Sequence, residues 1–105
     1  MNDLEMTYLC AEKMGYAVEL VNRQYGPPAY YHKVNGQEYC PLTDGAEAMA
    51  LLERFKLKVT WHYGENVVRA IYTNVTPDIC SQYQPNLKRA IVECVSRIHP
   101  RGADE

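Results

Sequence analysis

Cysteine or histidine pairs two to four residues apart, the usual mark of a zinc site, are missing from this sequence. Cys10, Cys40, Cys80 and Cys94 are widely spread, and His32, His62 and His99 are each isolated. There is no Gly-x-Ser-x-Gly turn and no serine or cysteine beside a histidine, so the local signs of nucleophilic catalysis are absent too. His62 and Glu65 can meet across a turn, but two polar groups at a hairpin end are ordinarily just solvated. The expectation is a non-enzymatic chain with no metal site and no cofactor.

The chain also lacks any apolar run of signal-peptide or transmembrane length, and it opens on the acidic stretch Met1-Asn2-Asp3-Leu4-Glu5. These features point to a cytoplasmic protein without a membrane partner. In a reducing compartment, four scattered cysteines are expected to be free thiols.

Dense basic runs are lacking as well. Residues 1–53 hold three basic and eight acidic side chains, a balance of −5, and residues 54–105 hold eight and five, a balance of +3. Such asymmetry can mark a polar partner surface. The plainer reading is that Lys88, Arg89 and Arg97 line the solvated face of a helix, while Arg54 and Lys56 close another helix where cations suit the dipole.

At 105 residues and 47% hydrophobic, the chain suits one domain with one core, expected over residues 1–99 with a flexible tail at 100–105. A first helix is expected from about Leu4 to Met14, capped by Asn2 or Asp3 and stopped by Gly15. Ala17 to Val21 favours extended structure, and Gly26-Pro27-Pro28 breaks it. Asn35-Gly36 then separates Tyr30-Tyr31-His32-Lys33-Val34 from Gln37-Glu38-Tyr39-Cys40, a hairpin signal. A two-residue turn there pairs Lys33 with Glu38 and His32 with Tyr39.

Asp44 caps a second helix that runs to about Phe55, with Glu47 placed to reach back to the cap. Lys58 to Tyr63 and Val67 to Thr73 alternate as strands. A tight turn at Glu65-Asn66 pairs Trp61 with Ala70 and sets the only tryptophan on a core face. Asn74 to Gln84 reads as a loop, and Pro85 opens a last helix to about Ile98. The class is α+β, an antiparallel sheet with packed helices in the order α-β-β-β-α-β-β-α.

Tyrosine is the compositional oddity, with nine against one Phe and one Trp. It joins apolar area to a hydroxyl that wants a partner, which suits interfaces. Tyr25, Tyr30, Tyr31, His32, Lys33 and Tyr39 gather around the first hairpin and form the candidate partner-binding set. Tyr30, His32 and Tyr39 are expected on one face and Tyr31 on the other. The same tyrosines are also good strand residues for packing against a helix.

Several segments together resemble a family of small tailed-phage and prophage proteins with a phage α-β-α sandwich domain. They are Ala11-Glu12-Lys13-Met14-Gly15, Tyr39-Cys40-Pro41-Leu42-Thr43-Asp44 with Ala46-Glu47-Ala48, Leu51-Leu52-Glu53, and Ile79-Cys80. This sequence departs from the family between Ser81 and Asn86, where Pro85 restarts a helix that the family pattern runs on from Ile79.

The resemblance implies the fold and a phage or prophage origin and leaves the activity open. Because small accessory phage proteins commonly bind host machinery, the expectation is an accessory protein of the host bacterial cytoplasm that binds a host or phage protein. An inhibitor of a bacterial defence system, such as an anti-CRISPR, is one such role, and a homodimer is compatible with it. The competing class is a single-stranded nucleic-acid-binding module, with a small enzyme third. The order α-β-β-β-α also occurs in double-stranded RNA-binding domains, but Asp44-Gly45-Ala46-Glu47 stands where those need a basic helix start. Phosphate contacts dominate nucleic-acid affinity, and the net charge here is −2. Fluorescence anisotropy at physiological salt should therefore show no submicromolar, salt-sensitive binding to DNA or RNA oligonucleotides.

Overall fold

A computed structural model describes residues 2–98, so His99 and the tail expected at 100–105 lie outside the described residues. Helix α1 (Asp3–Met14) begins where Asn2 accepts the Glu5 N–H and ends at Gly15, whose φ of 78° is the left-handed value glycine takes without strain. Helix α2 (Gly45–Phe55) begins at Asp44, whose carboxylate accepts the N–H groups of Ala46 and Glu47. Both starts agree with the sequence reading, except that the Glu47 side chain does not return to the cap. Its Oε2 lies 3.4 Å from Nε2 of His32.

Helix α3 (Leu87–Arg97) starts two residues later than Pro85 suggested. Asn86 supplies a better cap than proline can, its side chain accepting from Lys88 N at 2.8 Å and Arg89 N at 3.3 Å. Ala90, Ile91, Val92, Cys94, Val95 and Ser96 are all buried, so α3 is enclosed on most of its circumference. It packs against both α1 and α2 and against the second sheet. Of the expected solvated face, Arg97 is exposed and Lys88 and Arg89 are half-buried, with Arg89 paired to Asp3 of α1 at 3.0 Å.

The strands are antiparallel and helices pack on them, as an α+β chain requires, but they form two sheets. Strands β1 (Val18–Val21), β2 (Ala29–His32) and β3 (Glu38–Tyr39) make the first, in that order. Strands β4 (Lys58–His62), β5 (Val67–Tyr72) and β6 (Ile79–Cys80) make the second. The order is thus α-β-β-β-α-β-β-β-α. Strand β6 lies in the stretch read as a loop, because two residues beside Tyr72 and Ile71 suffice to pair yet carry no alternation to read.

Both hairpins are slipped by two residues from a tight turn. In the first, Tyr30 lies opposite Tyr39 and Tyr31 opposite Glu38. Asn35 does not take positive φ, as the tight turn requires. Its side chain instead accepts the Gln37 N–H at 2.9 Å, and Lys33 to Gly36 form a four-residue loop closed by His32 and Gln37. The Lys33–Glu38 pair is therefore not made, and Glu38 faces Arg23 at 3.6 Å. In the second, Tyr63 to Asn66 form the loop, with only Asn66 left-handed at φ 55°, and Trp61 lies opposite Val68.

One hydrophobic cluster joins α1, α2, α3 and the second sheet, and Tyr39 enters it from the first. Lys56 closes α2 with φ 52°, a left-handed conformation that costs an L residue about 1–2 kcal/mol. Lys56→Gly should remove that strain and raise unfolding stability by about 0.5–1 kcal/mol, read from urea midpoints at unchanged m-value.

Candidate interaction surface

The first hairpin turns much of its aromatic area inward. Tyr39 is 1% exposed. Its ring meets Tyr16 at 5.5 Å and His32 at 5.3 Å, while Tyr16 and His32 meet at 5.1 Å, all edge to face. Such geometry sets a positive ring edge against a negative face. His32 is half-buried, and its contact with Glu47 ties the sheet to α2.

Tyr30 is half-buried with its ring 5.6 Å from Tyr8 of α1. Tyr31, on the opposite sheet face between Glu19 and Glu38, is half-buried as well. Neither tyrosine is wholly core or wholly free. Lys33 is exposed in the loop, and Tyr25 is 84% exposed before Gly26. The six candidate residues thus fall into different environments: Tyr39 in the core, Tyr30, Tyr31 and His32 half-buried, and Tyr25 and Lys33 at the surface.

Beside this hairpin a cleft of about 290 Å³ opens between the first turn of α1 and the Pro27-Pro28 loop, with Leu4, Thr7, Tyr30 and Leu42 in its wall. It sits at the small end of ligand pockets. Arg23 and Glu38 on its rim face each other, and Arg23 Nε also donates to the Pro27 carbonyl at 2.8 Å. Those charges are largely engaged with each other.

Cys10, Cys40, Cys80 and Cys94 are free thiols. Burial pushes Cys10 and Cys94 up to about 12, so both are protonated and poor nucleophiles at neutral pH. Their Sγ atoms lie 3.5 Å from the carbonyls of Val92 and Ile79 respectively. Among the described residues, no three side chains of His, Cys, Asp and Glu converge as metal ligands, and no helix is long and apolar enough to cross a membrane.

The second hairpin carries the exposed aromatic cluster that sequence reasoning passed over. Trp61, expected in the core, is 46% exposed. It shares a face with Val68 and Val59, but it stands on the outer strand near the hairpin end, where Val68 beside it is covered and it is not. Tyr63, 81% exposed, stacks on it at 6.5 Å and 17°.

On the other face the Arg69 guanidinium lies 4.7 Å from the ring of Tyr83, itself 44% exposed, and His62 sits 6.0 Å from the same ring. Val68 bonds Gln84 in both directions at 2.8 Å, which carries Tyr83 alongside Arg69. The only advance signal was Tyr63 next to Gly64; Tyr83 lies in a segment without periodicity.

Comparison with known proteins adds no relative to this geometry: no family model, curated protein or solved structure matches the chain.

The hydroxyl of Tyr39 is buried and has no hydrogen-bond partner among the described residues, and burial pushes its ionisation far up. An unpaired buried polar group costs about 1–3 kcal/mol. Tyr39→Phe should thus leave thermal stability unchanged or raise it by up to about 1 kcal/mol, whereas Tyr39→Ala should lose about 3–5 kcal/mol with the ring. Calorimetry of the two variants checks both.

Proposed function

We propose that the chain is a non-enzymatic protein-binding factor, a phage or prophage accessory protein that acts in the cytoplasm of a host bacterium on a host or phage protein. Inhibition of a bacterial defence system, as by an anti-CRISPR, is the role that fits such a factor. The observation that carries the reading is that Trp61, Tyr63 and Tyr83 are exposed at one end of the second sheet, Tyr83 lying against the half-buried Arg69 on the face opposite Trp61. Tryptophan, tyrosine and arginine are the residues that dominate binding energy at protein interfaces, since they bury large area at low entropic cost.

The partner-binding set expected at the first hairpin contributes Tyr25 and Lys33 as freely accessible side chains. A single-stranded nucleic acid is the second reading, favoured by the stacked Trp61 and Tyr63 rings and by Lys58 and Arg69 on the same sheet. The acidic first half of the chain weighs against it.

Tyr63→Ala and Tyr83→Ala change exposed positions, so each should keep stability within about 0.5 kcal/mol of the wild type. Each should also lose a protein that immobilised wild type and Tyr25→Ala both retain from bacterial lysate, identified by mass spectrometry. Retention unchanged in both variants would move the site elsewhere. Recovery of nuclease-sensitive material lost in the same variants would establish the second reading instead.

A further inference from the structure

Among the described residues, strand β4 forms the outer edge of the second sheet and pairs only with β5. Which of its backbone groups face the open edge follows from the far side of β5. Val68 donates its N–H to the Gln84 carbonyl at 2.8 Å and accepts from Gln84 N at 2.8 Å. The Ala70 carbonyl accepts from Ser81 N at 2.9 Å, and Ala70 N donates to Ser81 Oγ at 3.0 Å.

The polar groups of Val68 and Ala70 therefore point away from β4. In an antiparallel ladder this makes Trp61–Val68 and Val59–Ala70 the non-hydrogen-bonded pairs. Val59 and Trp61 consequently direct their own N–H and C=O groups outward. No proline interrupts this edge, and Lys58 is its only fixed charge. An edge of this kind is a template for another strand.

The edge is complementary to itself. An antiparallel pairing with its two-fold axis at Thr60 sets Val59 against Trp61 of the second copy, and the reverse. All four outward groups of each strand then find partners, making four backbone hydrogen bonds.

The side chains agree with that register. Thr60 meets Thr60 on the outer face, a favourable cross-strand pair, and the half-exposed Trp61 ring covers the half-buried Val59 of the other copy. Lys58 falls opposite His62, whose Nδ1 lies 3.9 Å from the Glu65 carboxylate, so each lysine approaches an opposite charge. We propose that two copies of this chain dimerise by pairing their β4 strands antiparallel about Thr60, joining two three-stranded sheets into one of six. A second copy is the occupant because every position across the edge is matched by the strand's own sequence. The dimer does not rest on the protein-binding reading, and it leaves Tyr83 and Arg69 on a continuous outer face.

Sedimentation velocity on the wild type should show the mean mass rising from one chain towards two between about 1 and 500 μM, the range of a weak dimer. Thr60→Cys, in a background with Cys40→Ser and Cys80→Ser, should form a disulfide-linked dimer under mild copper-phenanthroline oxidation. Residues facing each other at a non-hydrogen-bonded position have Cα atoms about 4.5 Å apart, within disulfide reach. Lys58→Cys and His62→Cys in that background should cross-link poorly alone and readily when mixed, since each faces the other across the axis. A wild type that stays monomeric at the top of the range overturns the proposal. So does a dimer in which Thr60→Cys cross-links no faster than the background, or in which mixing Lys58→Cys with His62→Cys adds nothing.

Discussion

The burial of α3 is the constraint on which the rest of the molecule depends. Ile91, Val92, Val95 and Cys94 are fully covered, and the helix packs against both other helices and β5. Each such aliphatic side chain contributes about 1.5–3 kcal/mol on leaving water. That force is non-directional, so the orientation comes from polar ties. The Glu93 carboxylate accepts from Gln82 N at 2.7 Å and Gln84 Nε2 at 3.1 Å, and Arg97 donates to the Cys80 carbonyl at 2.9 Å. These bonds hold the segment that carries β6 and Tyr83 against one flank of the helix. The Arg89–Asp3 pair fixes the start of α1 near the other end.

The two sheets then serve different ends. The first is drawn onto the helices by the ring cluster of Tyr16, His32 and Tyr39 and by the His32–Glu47 contact, so much of its tyrosine area is internal. The second covers α3 with Val68 and Ala70, while its hairpin end carries Trp61 and Tyr63 into solvent. A chain this small must place most apolar groups in one core. Large aromatics left half-exposed at one end of a sheet are therefore an informative departure.

Helices α1 and α2 were readable from the residues because their signals are local, whereas at α3 the Asn86 cap overrides the start that Pro85 suggested. Asn2, Gly15 and Asp44 act within one turn of themselves, and each behaves as its side-chain chemistry dictates. Hairpin registers were harder. Asn35 has two uses for its neighbourhood, a left-handed turn residue or an acceptor for the N–H two residues on, and it takes the second. The slip of two residues that follows, matched by a like slip in the second hairpin at the Tyr63–Asn66 loop, changes every cross-strand neighbour. It preserves which side chains share a face, since a strand repeats every two residues. Tyr30 and Tyr39 thus stay on one face and Tyr31 on the other, while the expected Lys33–Glu38 pair disappears.

The bounds of α1 and α2, the α+β class and the sidedness of each strand are properties of neighbouring residues and their periods, and the chain carries them on its face. Exposure belongs to a different order, because it depends on what lies across the space above a side chain. Tyr39 and Tyr63 are the same residue type, each at or beside a short strand, and no local pattern separates them. Tyr39 is enclosed because α1 and α2 meet over its strand, and Tyr63 is open because it lies in a hairpin loop beyond the strands. The division into two sheets and the packing of α3 against α1, α2, β5 and β6 rest on contacts between residues far apart in sequence, which no local pattern encodes.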